Sequence, residues 1–292
     1  MSKKINKIYT YGSSFTKGGG FEFHLDEFGP ISDFYKKTFP EEEFTQFNYS
    51  WPGQLKKLIN SNSNNKISVI NEAQSGYGYE RVIRRCTANI NENYKNLSET
   101  LFLIEFPSMG RKEYWYRPIN DYIITNFHYK IEGSEDEFNF VINDDKVHYD
   151  THTHGIASTY HIDDEETKDV IRLNKSVIEE FNSITLDFPE LVKKMSSEIL
   201  NFLSFLDRHD INYLIVTRPF LNMDFEKWYK GYEKREVHYI GDSCDIWYYF
   251  SSQNLDIKTE TGGISMDGHA SLIGNKNIAS IIHKKILEEY EF

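Results

Sequence analysis

The amino-acid sequence predicts an α/β fold built on a parallel β-sheet. Four short apolar runs are separated by helix-like stretches, and they cover residues 7–12, 67–73, 100–106 and 212–217. Runs that are apolar throughout are typical of strands buried on both faces. Strands that alternate with helices predict βαβ units. With 292 residues, the chain is long for one domain and short for two, so we expect a single domain over residues 1–292.

The helices between these strands are marked by apolar periodicity. PGQLKKLIN follows Trp51, and ERVIRRCTANINENY follows Gly78. The strongest helical pattern spans residues 189–208, where apolar residues recur at steps of three and four. A last amphipathic helix is predicted from about Ile273, with one stripe formed by Ile278, Ile281, Ile282 and Ile286.

Residues 112–165 depart from the alternation of strands and helices. Apolar and polar residues alternate there, and EGSEDE and NDD are turn signals. We therefore expect an inserted β meander. Its aromatic residues either pack within the sheet or form a stacking platform for a sugar, and the sequence leaves both interpretations open.

Composition narrows the class of protein. A net charge of −12 opposes binding to nucleic acid and to anionic membranes. Cys86 and Cys244 lie far apart, so neither a disulfide framework nor a thiolate metal site is indicated. The first residues lead directly into a strand without the apolar core of a signal peptide, and no apolar run approaches the roughly 18 residues of a membrane span. We expect a cytoplasmic protein, or one carried in a virus particle.

Three motifs carry candidate chemistry at the ends of these elements. Ser14, in GSS, follows the first strand, where open α/β sheets form their ligand crevice. Asp267 and His269 precede the last helix, and such a pair can orient an imidazole that takes the proton of a serine. Gly76, in NEAQSGYG, either turns backbone N–H groups towards an oxyanion or simply permits a turn.

Together, and in their order along the chain, the motifs resemble the SGNH, or GDSL-like, hydrolase family. In that family a G-D-S block follows the first strand, and a D-x-x-H or D-x-H block precedes the last helix. The resemblance covers residues 7–111 and about 190–292. It implies a flavodoxin-like three-layer α/β/α sandwich with an inserted meander. It also implies residue roles: Ser14 as the nucleophile, Asp267 and His269 as the rest of the triad, and Ser14 and Gly76 as oxyanion donors.

Two positions depart from the family pattern. Ser13 stands where the family usually has Asp, which supports the loop and does not attack the substrate. The G-x-N-D block, whose Asn donates to the oxyanion, has no counterpart in LIEFPSMGRKE, and Ser108 or Arg111 are the candidate replacements. Losing such a donor typically costs about 100- to 1,000-fold in turnover. Glu105 and Glu113 are candidates for a carboxylate pair, but without known geometry they are interpreted as ordinary residues.

The resemblance implies ester hydrolysis through an acyl-enzyme, without a cofactor, on an O-acylated carbohydrate or small ester. A non-catalytic glycan-binding or virus-particle structural protein on the same scaffold is the alternative. A second rival follows from His148, Asp150, His152 and His154, which would share one face of a strand and suit zinc. The same residues are equally compatible with a solvent-facing strand edge, so no metal is predicted. The oligomeric state is left open.

Overall fold

The computed structural model describes the chain in several ranges: residues 3–18, 30–38, 45–62, 66–74, 77–107, 111–116, 121–127, 140–142, 188–217, 253–260, 262 and 269–292. Its strands are β1 (Lys3–Lys4), β2 (Lys7–Tyr11), β3 (Ser68–Asn71), β4 (Thr100–Glu105), β5 (Arg111–Tyr116), β6 (Asp121–Phe127), β7 (Phe140–Ile142), β8 (Asn212–Thr217) and β9 (Tyr290–Glu291). Its helices are α1 (Ser14–Lys17), α2 (Pro30–Thr38), α3 (Gln46–Tyr49), α4 (Trp51–Asn62), α5 (Tyr79–Glu92), α6 (Phe188–Arg208), α7 (Ile257–Glu260) and α8 (Leu272–Glu289), with a 3₁₀ segment at Tyr94–Glu99.

The four predicted apolar runs form one parallel sheet, which confirms the sequence-based fold class. The order is β3-β2-β4-β8, and every neighbouring pair is parallel. In the register, Lys7 lies opposite both Ser68 and Thr100. Counted along the chain within this sheet, the order is 2-1-3-4, which matches the first four strands of a flavodoxin-like sheet.

Helices cover both faces of the sheet, so the molecule has the three α/β/α layers that were expected. One face packs against α5 and α6 through a core that includes Tyr9, Phe102, Tyr213, Cys86 and Leu203. The opposite face packs against α4 and α8 through a core that includes Ile8, Leu101, Leu214, Leu55 and Ile282. Consecutive strand residues face opposite layers, which is why these strands are apolar throughout.

Smaller sheets complete the described part of the chain. β5, β6 and β7 pair antiparallel in chain order, as expected of a meander, while residues 143–165 of the predicted insertion lie outside the described residues. β1 pairs in parallel with β9 near the two ends of the chain. None of the helices in the described ranges combines the length and the apolar character that crossing a membrane requires.

Candidate active site

Ser14 and His269 lie in contact, although 255 positions separate them in the sequence. The distance from Ser14 Oγ to His269 Nε2 is 2.9 Å. Ser14 is the first residue of α1, directly beyond the carboxyl end of β2, and it keeps 5% of its surface exposed. His269 is half-buried, and its ring lies 4.5 Å from the ring of Phe15. The contact therefore forms at the sheet edge where α/β folds place their ligand crevices.

Helix α1 presents an unusual N-terminus. Its N-cap residue, Ser13, makes no side-chain capping bond, although serine at this position normally accepts from the backbone N–H of the second or third helical residue. The Ser13 hydroxyl instead donates to Glu105 Oε1 at 2.6 Å. Glu105 Oε2 accepts from the N–H of Thr16 at 3.1 Å, so a side chain from β4 performs the capping function.

Glu105 is a buried carboxylate whose polar contacts, within the part of the chain that the structure describes, lie in residues 12–16, the nucleophile loop. It is 1% exposed, and every residue of β4 is buried. Besides the two bonds above, its Oε2 accepts from the Ser13 N–H at 3.3 Å and from the Thr16 hydroxyl. A buried carboxylate is costly unless hydrogen bonds replace its water, and four donors do so here. Glu105, which the sequence analysis interprets as an ordinary residue, thus contacts residues on both sides of Ser14.

Gly12 lets the carboxylate approach this closely. A Cβ at position 12 would lie 2.6 Å from Thr16 Oγ1, 2.8 Å from Glu105 Cβ and in overlap with the Glu105 carboxylate. The glycine before the two serines thus makes room for the charged group behind the loop. Its role is close approach and does not depend on left-handed backbone geometry.

Asn71 supports the nucleophile loop from the other neighbouring strand. At the end of β3, its amide nitrogen donates to the Thr16 carbonyl at 2.9 Å. Its amide oxygen accepts from the Thr10 hydroxyl at 3.0 Å and from the Ala73 N–H at 3.1 Å. The turn that carries Ser14 is therefore attached to the ends of both strands that flank β2.

Hydrogen bonds at the start of α8 hold the His269 segment. Ser271 is the N-cap of α8, and its hydroxyl accepts from the Gly274 N–H at 3.0 Å. Asn275, 1% exposed, donates to the Ala270 carbonyl at 2.9 Å and accepts from the Trp51 N–H at 2.7 Å. The segment that carries His269 is thereby joined to the first residue of α4.

A carboxylate from α7 completes this N-terminus. Glu260 accepts from the N–H groups of Leu272 at 3.0 Å and Ile273 at 3.3 Å, and from the Tyr35 hydroxyl at 2.7 Å. A negative charge at a helix N-terminus is favourable because it opposes the positive end of the helix dipole. Burial, together with the nearby Glu260, raises the pKa of Tyr35, so this hydroxyl acts as a donor.

Several predicted site residues lie outside the described residues. They are Gly76, Ser108, Asp267 and the His148, Asp150, His152 and His154 cluster. Arg111 begins β5, but its side chain also lies outside. The third triad position and most of the oxyanion donors stay predictions for this reason. Of the predicted donors, the N–H of Ser14 is placed, and as the first N–H of its helix it has no acceptor within that helix.

Comparisons with known proteins find solved structures of low sequence identity. No protein-family model matches the chain, and no curated protein matches it by sequence. Among solved structures, the psychrotrophic esterase EstA from Pseudoalteromonas sp. aligns with 97% of each chain at 11% identity and a TM-score of 0.44. A protein described as lipolytic and of the G-D-S-L family, from Desulfitobacterium hafniense DCB-2, aligns with 96% of this chain and 99% of its own at 11% identity and a TM-score of 0.40.

A third solved structure, the lipase Lip_vut3 from a goat rumen metagenome, aligns with 96% of each chain at 12% identity and a TM-score of 0.39. By their names, the three are an esterase, a lipolytic protein of the G-D-S-L family and a lipase.

Proposed function

We propose that this protein is a serine hydrolase of ester bonds, with Ser14 as the nucleophile and His269 as its general base. The observation that supports the proposal is the 2.9 Å contact between Ser14 Oγ and His269 Nε2. A serine hydroxyl is a weak nucleophile, and an imidazole within hydrogen-bond reach activates it by taking its proton. Asp267, two residues before His269, is the proposed partner that orients the ring.

The proposed reaction has two halves. In the first, Ser14 Oγ attacks the ester carbonyl carbon while His269 Nε2 takes the proton of the serine hydroxyl. The π electrons of the carbonyl bond move onto its oxygen, which becomes the oxyanion of a tetrahedral intermediate. Collapse of this intermediate expels the alcohol, which leaves with the proton from His269, and an acyl-enzyme remains. In the second, water gives its proton to His269 and attacks the acyl group, so that the acid leaves and Ser14 regains its proton.

The oxyanion would be bound by backbone N–H groups of Ser14 and Gly76, with Ser108 or Arg111 as a further donor. The N–H of Ser14 suits this role, since its position at the start of α1 leaves it without an intrahelical acceptor. The proposed substrate class is an O-acylated carbohydrate or a small ester, on the strength of the family resemblance and the aromatic residues of the insertion.

A fluorophosphonate probe, which reacts with activated serines, tests the proposal. We expect the wild-type chain to be labelled, Ser14→Ala to be unlabelled, and His269→Ala to be labelled several orders of magnitude more slowly. Ser280→Ala is the matched control because Ser280 is exposed on α8, and it should label like the wild type. An unlabelled wild-type chain, or undiminished labelling of Ser14→Ala, would contradict the proposal.

A further inference from the structure

We propose that Glu105 is a positioning residue that holds Ser14 in its reactive place by capping α1 from the neighbouring strand. The inference rests on the proposed function, because it concerns the reactivity of Ser14. Glu105 contacts residues before and after Ser14. It accepts from the Ser13 hydroxyl at 2.6 Å and the Ser13 N–H at 3.3 Å, and it also accepts from the Thr16 N–H at 3.1 Å and from the Thr16 hydroxyl.

The register of the sheet explains how Glu105 reaches the loop. Tyr11, the last residue of β2, lies opposite Ile104, so Glu105 comes next to Gly12. Gly12 has no side chain to block the carboxylate, and Thr16 turns its N–H and hydroxyl towards it. The acceptor that fixes α1 thus belongs to β4, an inner strand of the described sheet, whereas a usual N-cap is the residue directly before the helix.

Anchoring to the sheet matters because α1 has only four residues. A helix this short gains little stability from its own hydrogen bonds, so its position depends on contacts with the rest of the fold. Two anchors of this turn, Glu105 and Asn71, come from the strands that flank β2. Contacts with the sheet therefore fix the position of the Ser14 hydroxyl. This position matters for the reaction, because a shift of about 1 Å from the attack geometry costs up to about 100-fold in rate.

Glu105→Gln is the decisive variant, because an amide has nearly the same shape but places an NH₂ donor against the donors of Ser13 and Thr16. We expect the rate of labelling by a fluorophosphonate probe, and kcat for p-nitrophenyl acetate, to fall by about 10- to 100-fold with KM little changed. A KM increase at unchanged kcat would overturn the inference, because it would indicate lost ester binding.

A stability-matched control separates positioning from general destabilisation. Leu203→Ala, or Ile199→Val if a smaller loss is needed, perturbs the core on α6, and the variant closest to Glu105→Gln in Tm is compared with it. Labelling at the wild-type rate in the control, with slow labelling in Glu105→Gln, supports the inference. Equal slowing in both variants, or wild-type labelling in Glu105→Gln, overturns it.

Two milder variants keep the test decisive if Glu105→Gln does not fold. Ser13→Ala and Thr16→Val each remove one hydroxyl donor and leave the backbone donors in place, and each should lower kcat by a smaller factor at constant KM. Wild-type kcat in both would overturn the inference. Failure of the proposed function gives a different result, because the wild-type chain would then stay unlabelled or Ser14→Ala would be labelled. An unlabelled wild-type chain would overturn both proposals.

Discussion

At the level of single residues, the nucleophile loop depends on two positions that do not react. Gly12 provides the space, and Glu105 provides the charge that fills it. Glutamate is almost never fully buried unless it is paired, and this one is surrounded by four donors from two residues. The free energy of unfolding should therefore fall if either Gly12 or Glu105 is substituted.

We expect Gly12→Ala to lower the free energy of unfolding by about 1–3 kcal/mol, the usual cost of forcing an extra carbon into a filled region. The added Cβ would overlap the Glu105 carboxylate and crowd Thr16 Oγ1 at 2.6 Å. Urea unfolding measures this loss.

Gly12→Ala in a Glu105→Ala background should lower the free energy of unfolding by less, because the Glu105 carboxylate that the new Cβ would overlap is absent. Four urea curves, for the wild type, both single variants and the double variant, give the coupling free energy. Fully additive losses would mean that the two positions do not meet as the structure has them.

At the level of elements, the start of α8 is the point where several parts of the fold converge on His269. Glu260 on α7 accepts from the first two N–H groups of α8, and Ser271 accepts from the third. Asn275 then links this helix to the first residue of α4. Because its first three N–H groups are hydrogen-bonded, the N-terminus of α8 is held in place. His269 lies two residues before the N-cap of this helix, so its position depends on the same contacts.

We expect Asn275→Ala to lower the free energy of unfolding by about 1–3 kcal/mol, because the Trp51 N–H loses its acceptor inside the protein. It should also slow fluorophosphonate labelling, since the Ala270 carbonyl beside His269 loses its donor. Ser280→Ala, an exposed position on the same helix, should change the free energy by less than about 0.5 kcal/mol. Equal urea midpoints for the two variants would refute the role of Asn275.

At the level of the whole molecule, the strands and long helices were predictable and the polar connections were not. The four core strands are continuous apolar runs, and β4 and β8 begin and end within one residue of the predicted bounds. The approach of Ser14 and His269 followed from the order of the motifs. The partners of Glu105 did not, because they depend on the register of β2 against β4, which no pattern along one strand reveals.

One signal for Glu105 was nevertheless present in the sequence. TLFLIEF contains one charged residue in an otherwise almost wholly apolar strand, and a charge there must find partners. The pairing of β1 with β9 gave no such signal, because two residues are too few to show a period. The network around Asn275 was also hidden, since an asparagine in a helix has many possible partners.

The parallel sheet and its two helical layers should open as one cooperative unit, and Cys86 can report on that opening. Its thiol is fully buried on α5, in the core that also contains Tyr11 and residues of α6. Burial raises the pKa of this thiol, and a hydrogen bond with Tyr11 offsets part of the rise. The reactive thiolate is therefore both inaccessible and scarce in the native state.

We expect iodoacetamide to alkylate Cys86 at least about 4,000-fold more slowly in the native chain than in the urea-unfolded chain, as a global stability above about 5 kcal/mol implies. A Cys244→Ser background leaves Cys86 as the single thiol, and the unfolded chain supplies the intrinsic rate. The free energy of opening from this ratio should equal that from urea unfolding, because reagent cannot reach the thiol without separating α5 from the sheet. A much smaller value would mean that α5 detaches locally, and the three layers would then not be one cooperative unit.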